Sequence, residues 1–421
     1  MKKLAFFGGE PIRTTPLPTN MIGASMIGQE ELDELADVVR EKSPFRHYGV
    51  GNPQKTDLLE KVFAEHFGVK YTLAVNSGTS ALMCAFAAAN LGPGSEVIIP
   101  SFSWYSNYCA LVAMGVTPVF ADIGGDLNID PDDLESKITD RTKAVVVVHY
   151  QGGPAKMQRI MEIAHAHKLI LIEDCAQCCG GDYHGKILGT IGDIAIFSFQ
   201  THKILTCGEG GMVITNNEEM FVRAVRYHDL GFVRKTFADR LSNPSLTDEV
   251  YSFAGIQLRM NELSSAFLLA QLRKMGGMLA TCRKWHAVLR EHVASWKEIS
   301  VRYEEGDCGI AFIMMFPSKE HGSKFISYMN AEGIPCQLTS ACCNLIHKYP
   351  IKSKALPHNE MPPFGPAFDG KDIVFDAKDC PNTDGNLERC VGIGIGPTYT
   401  EQDIADIIAA MDKVYPHVFS K

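Results

Sequence analysis

From about residue 56 onward, short and continuously apolar runs alternate with longer amphipathic stretches. The runs predict strands over 71–76, 96–100, 117–120, 144–148, 169–173, 194–198 and 212–215. Segments such as AVVVV and LILI carry no polar alternation, so they fit strands buried on both faces. The stretches between them, 80–91, 103–114, 131–138 and 154–167, are long enough to cross back over a sheet. That alternation predicts an α/β layer with a largely parallel sheet, whose ligands bind at the carboxyl ends of the strands.

The flanking segments are helical. Residues 29–41 carry Leu32, Leu35 and Val38 or Val39 at helical spacing, and 56–67 repeats the pattern and stops at Gly68. After Gly255 the period is helical through 260–278. Near the C-terminus Thr400 can cap a helix with Ile404, Ile407, Ile408, Met411 and Val414 on one stripe. The expected organisation is an N-terminal arm and first helix (1–55), a large domain (56–265) and a small α/β domain (266–421). Residues 237–250 and 358–372, rich in Pro, Asn, Asp and Gly, read as long surface loops.

Composition narrows the function. A formal net charge of −9 provides no basic field for nucleic acid or an anionic membrane, which makes small-molecule chemistry the expectation. The apolar run in MKKLAFFGGEP is too short for a signal peptide, and no run approaches a membrane span. Thirteen cysteines without an export signal suggest free thiols in the cytoplasm. CAQCC contains the pair Cys175 and Cys178, and Cys342 adjoins Cys343; that spacing makes a poor zinc site and leaves buried thiols as the expectation, with no metal.

Candidate chemistry falls at predicted strand ends. Asn76-Ser77-Gly78-Thr79-Ser80 follows a strand and opens a helix, which fits either a phosphate cradle or a capped helix behind a tight turn. Asp174 stands where the sheet opens, with Gln177 one turn beyond; a carboxylate there can hold a protonated ring nitrogen, a metal or a helix cap. Ser198 ends the next strand, and Lys203 stands five residues on, beside Ile204 and Leu205 and before Gly208, Gly210 and Gly211. A lone lysine is ordinarily a solvated charge. This setting could instead desolvate the amine and make it a nucleophile toward aldehydes. Cradle, carboxylate and lysine together are what pyridoxal 5'-phosphate requires.

The stretches GVKYTLAVNSGTSAL, GPGSEVIIPSFSW, PVFADI, TKAVVVVHYQG, IEDCAQCCGG, GTIGDIAIFSFQTHKILTCGEGGMVITN and LRMNELSSAFLLAQL are ordered and spaced as in one family. From about residue 10 to the C-terminus the chain resembles the DegT/DnrJ/EryC1/StrS sugar aminotransferases, which have the type I, aspartate aminotransferase-like fold. The resemblance implies that Lys203 forms a Schiff base with the cofactor and shuttles protons. It implies that Asp174 binds the pyridine nitrogen, Gln177 the ring hydroxyl, Ser198 with Gly78, Thr79 and Ser80 the phosphate, and that Trp104 stacks on the ring. His202 precedes the lysine, but the lysine itself occupies the Schiff-base position, which favours transamination over the dehydratases that carry histidine there. The family pattern G-x-N-x-R-M, whose asparagine reaches the partner subunit's phosphate, reads here Gly255-Ile256-Gln257-Leu258-Arg259-Met260. Gln257 keeps the amide on a longer arm, and Arg259 could meet an anionic group.

Three further residues are candidates for substrate. His149, ending AVVVV, either lines the site or is a core histidine; Arg259 and Tyr48 complete the set, while His228-Asp229 reads as structural. Substrate contacts are expected from 237–250, from 358–372 and from the segment around Arg46, His47 and Tyr48. VGIGIG does not make the dinucleotide fingerprint. The expected activity is amino transfer from glutamate or glutamine to a keto or aldehyde sugar, nucleotide-linked or free, or to a cyclitol ketone, by a homodimer with shared sites. The rivals are a dehydratase or epimerase of the same fold, a non-catalytic sensor, and a nicotinamide dehydrogenase.

Overall fold

The computed structural model describes residues 3–52, 54–338 and 343–420. Nine strands precede the long central helix: β1 Tyr71–Val75, β2 Glu96–Pro100, β3 Thr117–Ala121, β4 Thr142–Val148, β5 Ile170–Asp174, the short hairpin β6 Asp182–Tyr183 and β7 Lys186–Ile187, β8 Ile194–Ser198 and β9 Gly211–Thr215. Seven of them form one sheet in the order β1-β9-β8-β5-β4-β2-β3. Only β9 runs against its neighbours; the other pairings, β8 to β5, β5 to β4, β4 to β2 and β2 to β3, are parallel. Six strands therefore deliver their carboxyl ends to one edge.

The continuous apolar runs are explained by burial on both faces. Along β4, Ala144, Val146 and Val148 enter one core while Val145 and Val147 enter another. Along β8, Ile194 and Ile196 alternate in the same way with Ala195 and Phe197. Helices Gly78–Ala88, Ser106–Ala113 and Glu218–His228 contribute side chains to the first core, and Pro131–Ser136 and Met157–Ala166 to the second.

Helix Glu262–His292 links the large sheet to a smaller antiparallel one made of β10 Ser300–Val301, β11 Ala311–Met315, β12 Gln337–Leu338 and β13 Cys390–Gly394, in the order β10-β11-β13-β12. Asn261 caps this helix by accepting from Ser264 N, and the helix packs on Gln29–Arg40 and Lys55–Phe67. The last helix, Glu401–Phe419, begins as expected. Thr400 accepts from Asp403 N, and Asp403 accepts in return from Thr400 N at 2.8 Å. Its buried Ile404, Ile407, Met411 and Val414 contribute roughly 2 kcal/mol each by leaving water. Among the described residues, no helix is long and apolar enough to cross a membrane.

Candidate active site

The ends of β1, β5 and β8 and the loops that follow them converge on a cavity of about 750 Å³. Its far wall comes from elsewhere: Asn20, Met21 and Ile22 of the N-terminal arm, Ile310 just before β11, and Gln337 and Gly394 of the smaller sheet.

Beyond β1, Ser77 caps helix Gly78–Ala88 by accepting from Ser80 N at 3.0 Å. The N–H groups of Gly78 and Thr79 at the helix start have no partner within the helix, and the positive helix end is open to an anion. Gly78 is required by close approach, since a Cβ there would lie 2.7 Å from Ser198 Cβ and 2.9 Å from its Oγ. Gly211 is required for the same reason, because its Cβ would meet Ser77 O at 2.3 Å. Strand ends β1, β8 and β9 are thus pressed together, which brings Ser77, Gly78, Thr79 and Ser198 to one corner of the cavity. Thr79 Oγ1 lies 2.9 Å from Ser106 Oγ, the first residue of the next helix, which adds a second hydroxyl there.

Asp174 ends β5 and is buried. Its Oδ2 accepts from Asn107 Nδ2 at 2.8 Å and its Oδ1 from Ala176 N at 3.0 Å. Two acceptor positions remain for a ligand. Gln177 accepts from Gln151 N through Oε1 at 3.1 Å, so its amide NH₂ is left to donate. Trp104, 53% exposed, offers an indole face at the cavity wall.

Lys203 lies in the loop after β8, which closes on itself through Phe199 N to Gly210 O (2.9 Å) and Cys207 N to Phe199 O (3.1 Å). Ile204 and Leu205 anchor the loop in the core, and Gly23 N donates to Lys203 O at 3.3 Å. The backbone is pinned, and the side chain lines the cavity. Burial pulls the amine below the ordinary lysine range, an effect that the Asp174 charge opposes.

Five candidates lie elsewhere. Ser80 is buried with its hydroxyl donating to Asn76 Oδ1 at 2.5 Å, so it serves the helix cap rather than the cavity wall. His149 is a core residue: its Nδ1 accepts from Ala155 N at 3.1 Å, and its Nε2 lies 3.2 Å from Glu173 Oε2. That pairing leaves it no atom for substrate. Arg259 is held by an ion pair with Asp229 and lies over the Phe45 ring at 5.2 Å. Tyr48 is an exposed residue packed on Phe45, and Gln257 is exposed beside Asp229; neither lines the cavity.

The expected substrate loops also differ. Arg46 is buried between Asp57 (2.9 Å) and Glu60 (2.6 Å), and Arg240 of 237–250 joins the same Glu60 at 2.9 Å. Phe368, Asp369 and Gly370 pack beside Glu96 and Thr117, at the amino ends of β2 and β3, the edge of the sheet opposite the cavity. Asp229, between Arg234, Arg259 and His47, is structural.

Asn107 and the far wall were not found by sequence reasoning. Asn107 is the second residue of helix Ser106–Ala113, three residues after Trp104. The arm and the smaller sheet meet the cavity only through long-range packing. Two of the VGIGIG glycines serve that packing: a Cβ on Gly394 would lie 1.8 Å from Asn20 Nδ2, and one on Gly396 2.7 Å from Thr19 O.

Cys175 and Cys178 are buried, and their sulfurs with one ring nitrogen of His149 lie within 4.8 Å of one another. Burial pushes both thiols up, Cys178 to about 12. Cys342 lies outside the described residues.

The pattern of the DegT/DnrJ/EryC1/StrS aminotransferase family matches residues 26–412. GDP-perosamine synthase from Caulobacter vibrioides is 33% identical over 365 residues, 85% of this chain and 89% of that protein. A protein of Micromonospora echinospora provisionally named L-glutamine:3-amino-2,3-dideoxy-scyllo-inosose aminotransferase is 36% identical over 276 residues. That match spans 64% of this chain and 62% of the relative. Among solved structures, the aminotransferase from Psychrobacter cryohalolentis superposes with a TM-score of 0.79 at 27% identity, over 97% of this chain and all of that one.

Proposed function

We propose that the chain, which belongs to the DegT/DnrJ/EryC1/StrS aminotransferase family, moves an amino group from glutamate or glutamine to the carbonyl of a sugar or cyclitol. The cofactor of the family is pyridoxal 5'-phosphate, and the cavity fits it on three counts. A helix start open to an anion lies where a Cβ would collide with Ser198, a carboxylate keeps two acceptor positions free, and a buried amine lies across the same space. When bound, the cofactor supplies an electron sink for the carbanion formed at the donor's Cα.

The residues then divide the work. Ser198 Oγ, Thr79 Oγ1 and the N–H groups of Gly78 and Thr79 would hold the phosphate. Asp174 would keep the proton on the ring nitrogen, and Asn107 holds that carboxylate in orientation. Gln177 would donate to the ring oxygen, and Trp104 would cover the ring face. Lys203 Nζ, depressed by burial and therefore more readily neutral, would take the proton from the donor Cα and deliver it to the cofactor carbon that carried the aldehyde. The far wall of Met21, Ile22, Ile310 and Gln337 would meet the acceptor.

The acceptor class is drawn from the relatives, one named for GDP-perosamine and the other for an amino-inosose. A homodimer is supported by Gln257, which lies outside its own chain's cavity and is bridged to Asp229, close in the chain to the exposed apolar residues Leu230, Phe232 and Ile256. The free thiols are consistent with the cytoplasm.

The observation that carries the reading is that Lys203, Asp174, Gln177 and Ser198 line one cavity. Its test is to load the protein with pyridoxal phosphate, add L-glutamate or L-glutamine without acceptor, and follow the cofactor spectrum and the keto acid. Conversion with matching keto acid is expected. A loaded protein that converts neither donor, nor any other amino acid, contradicts the reading and favours a dehydratase, epimerase or sensor.

A further inference from the structure

Tyr150 and Gln151, directly after β4 and His149, form part of the cavity wall, yet their conformation is set from the smaller sheet. Arg302 follows β10 and is buried. Its Nη1 donates to Tyr150 O at 2.6 Å and its Nη2 to Gln151 O at 3.0 Å, so one guanidinium spans two successive carbonyls. The buried Asp307 fixes the fork, accepting from Nη2 at 3.2 Å and from Gly309 N at 2.7 Å. The guanidinium lies so close to the turn that a Cβ on Gly153 would stand 2.9 Å from Arg302 Cζ.

The backbone held this way is an unusual one. Gln151 adopts φ 43° and ψ 48°, a left-handed conformation that costs a residue with a side chain and persists where the surroundings over-determine it. In that conformation Gln151 N donates to Gln177 Oε1, and this single bond decides which end of the Gln177 amide is free. If the turn relaxed, the amide could reverse and present a carbonyl where a donor is needed.

We propose that Arg302 is a positioning residue: by clamping the Tyr150 and Gln151 carbonyls it holds the Gln151 N–H on Gln177 Oε1 and so keeps the Gln177 NH₂ available to the ring oxygen of the cofactor. The proposal rests on the aminotransferase reading. It couples the smaller sheet to the electronics of the cofactor ring through three hydrogen-bonded groups. A lysine at 302 would retain the charge beside Asp307 but not the planar fork that reaches both carbonyls.

The test uses the full chain loaded with pyridoxal phosphate and reads the pH midpoint of its visible absorption band, a quantity that a purely structural role would not move. A donor on the ring oxygen stabilises that oxygen's negative charge more once the neighbouring proton has left, so losing the donor raises the midpoint. Gln177→Leu is expected to raise it by about one pH unit, the size of one hydrogen bond to a charged group. Arg302→Met is expected to raise it by a similar amount, and the double variant no further than the larger single change. Where Arg302→Met does not fold, Arg302→Lys gives the same direction, with thermal unfolding as the check on integrity. A folded Arg302 variant with an unshifted midpoint beside a shifted Gln177→Leu overturns the proposal, and so does a double variant whose shift equals the sum of the singles. An unsubstituted chain that forms no visible band with pyridoxal phosphate overturns the aminotransferase reading itself, a failure distinct from both.

Discussion

Glu173 and Asp174 are adjacent buried carboxylates at the end of one strand, and they face opposite sides of the sheet with opposite fates. Glu173 accepts from Gly189 N (2.9 Å), Ile191 N (2.8 Å) and Gly192 N (2.6 Å), and His149 Nε2 lies 3.2 Å away. Its acceptor capacity is filled by the fold. Asp174 receives two donors, and the rest of its capacity faces the cavity. The difference separates a buried charge saturated by the fold from one that is oriented by few bonds and left with room for a ligand.

The largest effect should come from the amine opposite Asp174. Lys203→Ala is expected to reduce the donor half-reaction by about 10³-fold or more, measured as keto acid released per site. The two carboxylates should then separate cleanly. Asp174→Asn keeps the shape but loses the charge, and is expected to lower the rate by roughly 10²-fold with little change in melting temperature. Glu173→Gln offers an amide NH₂ to backbone donors and is expected to cost about 3 kcal/mol of unfolding free energy in denaturant titration. The folded fraction of Glu173→Gln should retain its turnover; a rate loss as deep as that of Asp174→Asn would break the comparison.

A smaller effect is expected at the orienting residue. Asn107→Ala removes one bond to the Asp174 carboxylate and should lower the rate roughly tenfold, the size of one charge-assisted hydrogen bond. The smallest concerns the cofactor-free chain. Burial lowers the Lys203 amine in the folded state, so between its folded and unfolded values the unfolded chain binds more protons and stability rises with pH. Cofactor-free Lys203→Met should therefore be more stable than the unsubstituted chain at neutral pH. That advantage should shrink as pH approaches the ordinary lysine value, 10.5. A constant difference across pH would show that the amine is not desolvated.

How much of this was legible in the sequence depended on the range of the interaction. The sheet strands were readable because burial on both faces makes each run apolar without interruption, as in β4. The grouping of Ser198, Lys203, Asp174 and Gln177 on one cavity was readable because Ser198 and Lys203 lie five residues apart and Asp174 and Gln177 three apart, so local geometry fixes each pair. His149 was ambiguous because a polar residue at a strand end faces either the cavity or the core, and only its bonds to Glu173 and Ala155 N decide. Arg259 looked available because nothing in its neighbourhood in the chain shows that Asp229, thirty residues earlier, would hold it. Arg302, Asn20 and Gln337 act on the cavity only through long-range packing, which leaves no local pattern.

The central claim is that the Lys203 amine is the group that joins the cofactor and moves the proton. It is tested most directly by loading the protein with pyridoxal phosphate, reducing with borohydride and locating the added mass by peptide mass spectrometry. The label is expected on Lys203, with none on the Lys203→Ala chain. A label on another lysine, or undiminished labelling of Lys203→Ala, would contradict it.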